Sequence, residues 1–130
     1  MQATKHSRQR DLLIDILRNT KCHPDADWIY TRAREQMPNI SLGTVYRNLS
    51  KLSDDGVILK LDVGRGGYHF DGDTSPHSHL LCDGCGCIID IFNDYTPVLK
   101  PDAESKSDAE ITHCTVLFKG KCAGCKDLSV

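Results

Sequence analysis

The chain of 130 residues is 39% hydrophobic and 26% charged, which fits one ordinary globular domain or two very small ones and excludes a disordered protein. Its net charge of −2 is uneven, since residues 1–72 carry eleven Lys and Arg against nine Asp and Glu, whereas residues 73–130 carry five against nine. Because no run of 18 apolar residues and no apolar signal-peptide core is present, the sequence predicts a cytoplasmic protein without membrane contact.

The first half of the chain carries three short helical patterns separated by tight turns. Apolar residues recur at helical spacing over residues 8–19, and Ser7 is the predicted N-cap of this helix. Asp25 and Ser41 are the predicted N-caps of the second and third helices. Three short helices joined in this way are typical of helix-turn-helix proteins.

A β-hairpin is predicted directly after the third helix. Residues 57–63 alternate apolar with polar side chains, a glycine-rich turn with one arginine follows at 64–67, and residues 68–70 return as the second strand. The pattern predicts that residues 1–72 form a winged helix-turn-helix domain that binds DNA. Residues 73–76 are polar and rich in turn formers, which predicts a hinge.

The second domain is predicted over residues 77–130, which makes the chain an α+β protein with two domains. A strand is predicted at 87–92 and a longer one at 111–119, where Cys114 shares a face with two apolar residues. Residues 94–108 contain two prolines and are predicted to form a loop with at most a short helix. Neither half has enough apolar residues for a large core, so a cross-link or a partner subunit is expected to stabilise the fold.

Four of the seven cysteines form two CxxC pairs, Cys82 with Cys85 and Cys122 with Cys125. Two such pairs supply the four sulfur ligands that a tetrahedral structural zinc ion requires. Gly84 and Gly124 lie inside the pairs, where a tight turn is expected. Two disulfides or four free thiols are the alternatives, but in a cytosolic protein clustered cysteines more often bind metal.

A second metal site is indicated by His77 and His79, which lie on one face of an extended segment. Asp71, Asp90 and His23 are further candidate ligands by residue type, although the spacing alone does not join them. Imidazole and carboxylate ligands suit Fe²⁺, Mn²⁺ or Zn²⁺. Surface histidines and ordinary turn aspartates are the alternative interpretation.

Six segments together resemble the ferric uptake regulator (Fur) family, and within it the peroxide-sensing (PerR) branch. They are SRQR (7–10), HPDADWIY (23–30), SLGTVYRNL (41–49), FD (70–71), HSHLLCDGCG (77–86) and GKCAGC (120–125). The resemblance implies a repressor with a structural zinc in the C-terminal dimerisation domain, which forms homodimers and binds a double-stranded DNA operator.

The same resemblance implies one five-ligand regulatory site for Fe²⁺ or Mn²⁺, formed by His23, Asp71, His77, His79 and Asp90. Aspartate at the positions of Asp71 and Asp90 favours the peroxide-sensing branch, because iron-sensing members usually carry glutamate there. In that branch H₂O₂ reacts with the bound Fe²⁺ and oxidises a ligand histidine, with His23 and His77 the positions to examine. The metal is then lost and the DNA is released.

DNA contacts are expected from the N-terminal end of the third helix, which helix-turn-helix proteins insert into the major groove. The candidate residues are Gly43, Thr44, Tyr46 and Arg47 in the helix, Lys51 and Arg65 as phosphate contacts, and Arg8 and Arg10 from the first helix. A solvated surface charge is the alternative for any one of them, and it is favoured for Lys51.

Three functions are compatible with these features. The first is a peroxide-sensing repressor, and the second is a repressor that reports the level of iron, manganese or zinc without oxidation chemistry. The third is an enzyme, either a thiol oxidoreductase or a zinc hydrolase. No CxxC begins a helix in a βαβ unit, and no open zinc site with a general base is indicated, so a non-enzymatic regulator is predicted.

Cys87 is expected to be a small buried strand residue or an alternative thiolate.

Overall fold

The computed structural model describes residues 4–20, 22–64 and 67–127. The chain divides into two compact units, Met1–Thr74 and Ser75–Val130, and each has its own sheet. Helices and strands occur in both units, in agreement with the predicted α+β class.

Three helices form the first part of the N-terminal unit: α1 (Lys5–Arg18), α2 (Ala26–Gln36) and α3 (Leu42–Asp54). The side chains of Asp25 and Ser41 accept backbone N–H groups at the starts of α2 and α3, as predicted. The prediction that Ser7 caps α1 is wrong. Thr4 is the N-cap, and its hydroxyl accepts the Ser7 N–H at 3.0 Å, so the helix begins one turn earlier.

The core of this unit is made where the apolar stripes of the three helices meet. Leu13, Ile29, Val45 and Leu49 are completely buried there. Most of the stability of such short helices comes from packing of this kind, because their intrinsic propensity is small.

Leu49→Ala is expected to lower the free energy of unfolding of this unit by about 2–5 kcal/mol, because a buried side chain is replaced by a cavity. Urea denaturation followed by circular dichroism measures the change. Leu42→Ala is the matched control, since Leu42 lies on the same helix but is 37% exposed. Equal destabilisation by the two variants would contradict the assignment of the core.

A β-hairpin follows the helices, with β1 (Leu59–Asp62) antiparallel to β2 (Tyr68–Asp71). Phe70 is buried in the helical core, and its N–H donates to the Pro24 carbonyl at 2.9 Å. The hairpin is therefore fixed to the segment between α1 and α2. The predicted basic tip at Arg65 lies outside the described residues.

The C-terminal unit contains a three-stranded sheet in the order β4-β3-β5, with β3 (Ser78–Cys82) in the centre. β4 (Ile88–Ile91) is antiparallel to β3, and β5 (Leu117–Gly120) is parallel to it. β5 is shorter than the predicted strand at 111–119. Its pairing with β3 begins at His79 opposite Leu117, so the residues before 117 have almost no length of β3 to pair with.

A helix of 12 residues, α4 (Thr96–Ser107), occupies the segment that was predicted to be a loop, so that prediction is wrong. Pro97 lies in the first turn, where its missing N–H has no partner within a helix. Pro101 lies inside the helix, where its lost hydrogen bond is the one to the carbonyl of residue 97.

The short helix α5 (Ala123–Lys126) follows β5. Among the described residues, no helix combines the length and apolar character that crossing a membrane requires.

Candidate metal centres

The four CxxC sulfurs form one cluster in the C-terminal unit, in which all ligand atoms lie within 4.8 Å of one another. Cys82 is the last residue of β3, and Cys122 is the N-cap of α5. The sulfurs of Cys85 and Cys122 are 3.8 Å apart. The edge of a tetrahedron with Zn–S bonds of about 2.3 Å is also about 3.8 Å, so the cluster fits a tetrathiolate zinc ion.

The sheet topology explains why two pairs so distant in sequence meet. β3 and β5 are parallel, and Cys82 at the end of β3 lies opposite Gly120 at the end of β5. Each strand leads directly into a CxxC turn at the same edge of the sheet. In an antiparallel pair the two CxxC turns would follow opposite ends of the strands and would not meet at one edge.

Backbone N–H groups already stabilise a negative charge in this cluster. The sulfur of Cys82 accepts N–H groups from Cys122 and Gly84, each at 3.3 Å, and from Cys85 at 3.4 Å. These donors, that of Cys122 foremost, lower the pKa of the Cys82 thiol to about 5. The hydrogen bond with the Cys122 sulfur raises the pKa of Cys125 to about 12. A metal ion would therefore displace protons from some of these thiols and find Cys82 already ionised.

Gly84 lies in a turn, as expected, whereas Gly124 lies within the short helix α5. Among the described residues the glycines with positive φ are Gly56, Gly64 and Gly86, so neither Gly84 nor Gly124 supports a left-handed turn. A Cβ atom at Gly84 would lie 2.9 Å from the Cys125 sulfur, whereas one at Gly124 would have no atom within 4 Å. Gly84 is thus required because a ligand sulfur packs against it.

Gly84→Ala is expected to weaken zinc retention roughly 10- to 100-fold, because the new methyl group would displace the Cys125 sulfur. Competition with a chromophoric chelator measures the change. Gly124→Ala makes the same substitution in the other CxxC pair and is expected to retain zinc like the wild type. Equal zinc loss in both variants, or in neither, would contradict the steric explanation.

The histidine pair of the C-terminal unit converges on a single carboxylate. The Nε2 atoms of His77 and His79 lie 3.1 and 3.2 Å from Oδ1 of Asp90. The antiparallel register places His79 directly opposite Asp90, and His77 lies two residues earlier on the same face. His77 Nδ1–H donates to the Ser75 carbonyl at 2.6 Å, so Nε2 is the nitrogen that could bind a metal ion.

The other two predicted ligands lie together in the N-terminal unit. His23 follows α1, and its Nε2 is 3.1 Å from Oδ2 of Asp71, the last residue of β2. Both side chains are buried. His23 has a φ of 49°, a left-handed conformation that costs a non-glycine residue about 1–3 kcal/mol. His69 was not predicted to contribute, yet its Nδ1–H donates to the His23 carbonyl at 2.7 Å and holds this turn.

The predicted DNA-contact residues of α3 lie at its N-terminal end. Tyr46 is 48% exposed, and Arg47 and Gly43 are exposed as well. Thr44 is half-buried, and its hydroxyl is hydrogen-bonded to Ser41 and Arg47. Lys51 forms an exposed ion pair with Asp55, in keeping with the surface role favoured for it. Arg8 and Arg10 are exposed on α1.

An exposed pair in the hairpin was missed by the sequence analysis. The Lys60 ammonium lies 4.1 Å from the ring centroid of Tyr68, which is 47% exposed. The signal for it was present, because the two residues lie on neighbouring strands of the predicted hairpin. Together with Tyr46, they line a cavity of about 450 Å³.

The remaining cysteines differ from expectation in one respect. Cys87 is exposed and precedes β4, so the prediction of a buried strand residue is wrong. Its sulfur lies 3.2 Å from that of Cys85, and the hydrogen bond that they share raises the pKa of Cys87 to about 12. None of the seven cysteines forms a disulfide.

Comparison with known proteins gives a consistent result. The sequence profile described as the Ferric uptake regulator family matches residues 1–119. The peroxide-responsive repressor PerR of Staphylococcus epidermidis is 33% identical over 119 residues, which cover 92% of this chain and 79% of that protein. PerR of Staphylococcus aureus is also 33% identical over 119 residues, which cover 92% of this chain and 80% of that protein.

Solved structures show the same likeness. The peroxide stress regulator of Campylobacter jejuni superposes with a TM-score of 0.76 at 27% identity, covering 92% of this chain and 89% of that one. The ferric uptake regulator Fur of Helicobacter pylori gives a TM-score of 0.77 at 23% identity, covering 92% and 81%. The second comparison supports the fold alone.

Proposed function

The chain belongs to the Ferric uptake regulator family, and we propose that it is a cytoplasmic, homodimeric, metal-dependent repressor that releases its DNA operator when peroxide oxidises a histidine ligand. Its relatives at 33% identity are named peroxide-responsive repressors. This family relationship favours a regulator over the enzyme alternative.

The convergence of His77 and His79 on Asp90 is the observation that carries the proposal. The two imidazole nitrogens lie within hydrogen-bond distance of the carboxylate oxygen, and the three atoms supply three of the five ligands of the proposed site. We assign His23 and Asp71 as the remaining ligands of the same ion, so that the five residues bind Fe²⁺ or Mn²⁺. The nitrogen and oxygen donors distinguish this site from the sulfur cluster, to which we assign zinc.

The five residues have different tasks in this mechanism. A bound Fe²⁺ would supply the redox chemistry by which H₂O₂ oxidises a neighbouring imidazole. Asp71 and Asp90 would supply negative charge that balances a divalent cation, and in the structure each lies 3.1 Å from an imidazole nitrogen that would bind the same ion. Loss of one imidazole donor leaves four ligands, which lowers metal affinity and removes the ion on which repression depends.

His23 is the ligand whose oxidation we expect to have the largest effect. Its ring is hydrogen-bonded to Asp71 and its carbonyl to His69, so the side chain has one buried conformation. A ring that gains an oxygen atom no longer fits that environment. Because the left-handed turn at His23 depends on these contacts, loss of the ring position also removes a ligand from the N-terminal unit.

The N-terminal unit carries the proposed DNA-binding surface. Three helices followed by a β-hairpin are the elements of a winged helix. Tyr46 and Arg47 are exposed on α3, where an aromatic ring can pack against a thymine methyl group and a guanidinium can bind guanine or phosphate.

Arg47→Ala is expected to weaken operator binding by about 1–3 kcal/mol, or roughly 5- to 150-fold. Fluorescence anisotropy with DNA selected by the wild-type protein from a random pool measures this change. Arg32→Ala removes an exposed arginine of α2 that is paired with Glu35, and it serves as the control. Equal losses in the two variants would indicate a general electrostatic effect in place of recognition by α3.

The C-terminal unit is the proposed dimerisation domain. It exposes a set of large apolar side chains that a monomer would leave in water: Ile89, Phe92, Val98, Leu99 and Phe118. Phe92 and Val98 are more than 70% exposed. Large apolar side chains left exposed in this way are typical of residues that become buried between subunits.

The proposal is tested by peptide mass spectrometry after a small dose of H₂O₂, with Fe²⁺-loaded protein compared with Mn²⁺-loaded protein. Addition of one oxygen atom to a peptide that contains His23, His77 or His79, only in the iron form, is expected together with release of DNA. Unmodified histidines with iron and DNA retained would overturn the peroxide mechanism and favour a repressor that reports the metal level.

A further inference from the structure

Cys87 gives the zinc cluster a fifth thiol that a four-coordinate ion does not need. Its sulfur lies 3.2 Å from the sulfur of Cys85 and is accessible from solvent. Tetrahedral zinc is saturated by the four CxxC sulfurs, so Cys87 remains beside a metal thiolate without a place in its coordination sphere.

We propose that Cys85 and Cys87 form a second metal site for one soft monovalent cation, Cu(I) or Ag(I), in which the Cys85 sulfur bridges this cation and zinc. The inference goes beyond the regulatory function proposed above and shares with it only the zinc cluster. Thiolate ligands select soft ions, and monovalent ions with a filled d shell accept as few as two sulfur ligands.

The geometry favours this pair over other pairs of thiols. Cys85 is itself exposed, and its contact with Cys87 lies at the surface, so a cation can reach the pair from solvent. Both residues belong to one short segment between β3 and β4, in which the Cys82 N–H donates to the Cys87 carbonyl at 2.9 Å and holds the two cysteines close together. The third nearby sulfur, that of Cys122, lies 3.8 Å from Cys85 and can complete a three-coordinate arrangement.

The binding step is a simple exchange of cations. In the zinc-loaded protein Cys85 is a thiolate ligand, so the pair holds one proton, that of the Cys87 thiol, whose sulfur lies 3.2 Å from the Cys85 sulfur. The entering monovalent cation takes the position of this proton and forms bonds to both sulfurs, and the proton goes to solvent. One positive charge enters and one leaves, so the charge of the cluster is unchanged and no oxidant or reductant is needed.

Native mass spectrometry of the zinc-loaded protein during titration with Ag(I), in the presence of competing glutathione, tests the proposal. The wild type is expected to form a species with one zinc and one silver ion per chain, with release of one proton. Cys87→Ser is expected to lower the silver affinity about 10- to 100-fold while it retains zinc. Cys114→Ser and Cys22→Ser are the matched controls and are expected to bind silver like the wild type.

Two results would overturn the proposal. One is a silver affinity of Cys87→Ser equal to that of the wild type. The other is replacement of zinc by silver without any mixed species. The zinc assignment fails by a different result, which is protein purified without zinc. The same silver titration would still measure whether silver binding depends on Cys87.

Discussion

Cys122→Ser is expected to abolish zinc binding and to unfold the C-terminal unit while the N-terminal unit remains folded. A structural zinc contributes about 10–16 kcal/mol of apparent binding free energy, whereas a whole domain is stable by only about 5–15 kcal/mol. Among the described residues of the C-terminal unit, the buried apolar side chains are Leu81, Cys82 and Ile88. This small core cannot compensate for the lost ion.

Hydrogen exchange followed by mass spectrometry distinguishes the two units in one experiment. Peptides from β3 and β5 are expected to lose protection in Cys122→Ser, whereas peptides from α1 and α3 keep theirs. Cys114→Ser is the control, because Cys114 is half-buried but does not belong to the cluster. Full zinc content with protected β3 amides in Cys122→Ser would refute the tetrathiolate site.

Asp90→Asn is expected to reduce the affinity for Mn²⁺ by more than about 100-fold and to weaken DNA binding at a fixed Mn²⁺ concentration. The substitution keeps the shape of the side chain but removes the negative charge that lies 3.1 and 3.2 Å from the two imidazoles. Mn²⁺ is used because it tests binding separately from peroxide chemistry.

Isothermal titration with Mn²⁺, followed by DNA binding at increasing Mn²⁺, measures both effects. If metal binding drives repression, DNA affinity is restored in Asp90→Asn by a proportionally higher Mn²⁺ concentration. Asp94→Asn is the matched control, since Asp94 is exposed and its carboxylate accepts the Thr96 N–H. Wild-type Mn²⁺ affinity in Asp90→Asn would remove Asp90 from the site.

The elements that were predicted well are those with a local signal. The three N-terminal helices have apolar residues at helical spacing, and Asp25 and Ser41 cap two of them as expected. The CxxC spacing predicted the sulfur cluster, since the chemistry of the ion dictates both the residue type and the turn. The histidine pair was predicted from its two-residue spacing, whereas its aspartate partners became visible only through family resemblance.

The elements that were missed depend on contacts that are distant in sequence. β3 is buried on both faces, so it lacks the alternation by which an isolated strand is recognised. The helix α4 was missed for a different, local reason: its two prolines indicated a loop, although Pro97 in the first turn costs no helical hydrogen bond and Pro101 costs only one. Glycine is needed at position 84 because the sulfur of Cys125, 41 residues later in the chain, packs against it. No pattern in the neighbouring sequence predicts this contact.

The parallel pairing of β3 with β5 also determines when each unit can fold during synthesis. Contacts in the core of the N-terminal unit are all made within its first 74 residues, so this unit can fold as soon as they have left the ribosome. The central strand β3 can pair with β5 only after β5 has been translated, 38 residues later. The second CxxC pair is translated after β5. A nascent chain therefore passes through a stage with a folded N-terminal unit and an open sheet edge, and we expect metal binding by the four CxxC sulfurs to favour completion of the C-terminal unit over aggregation.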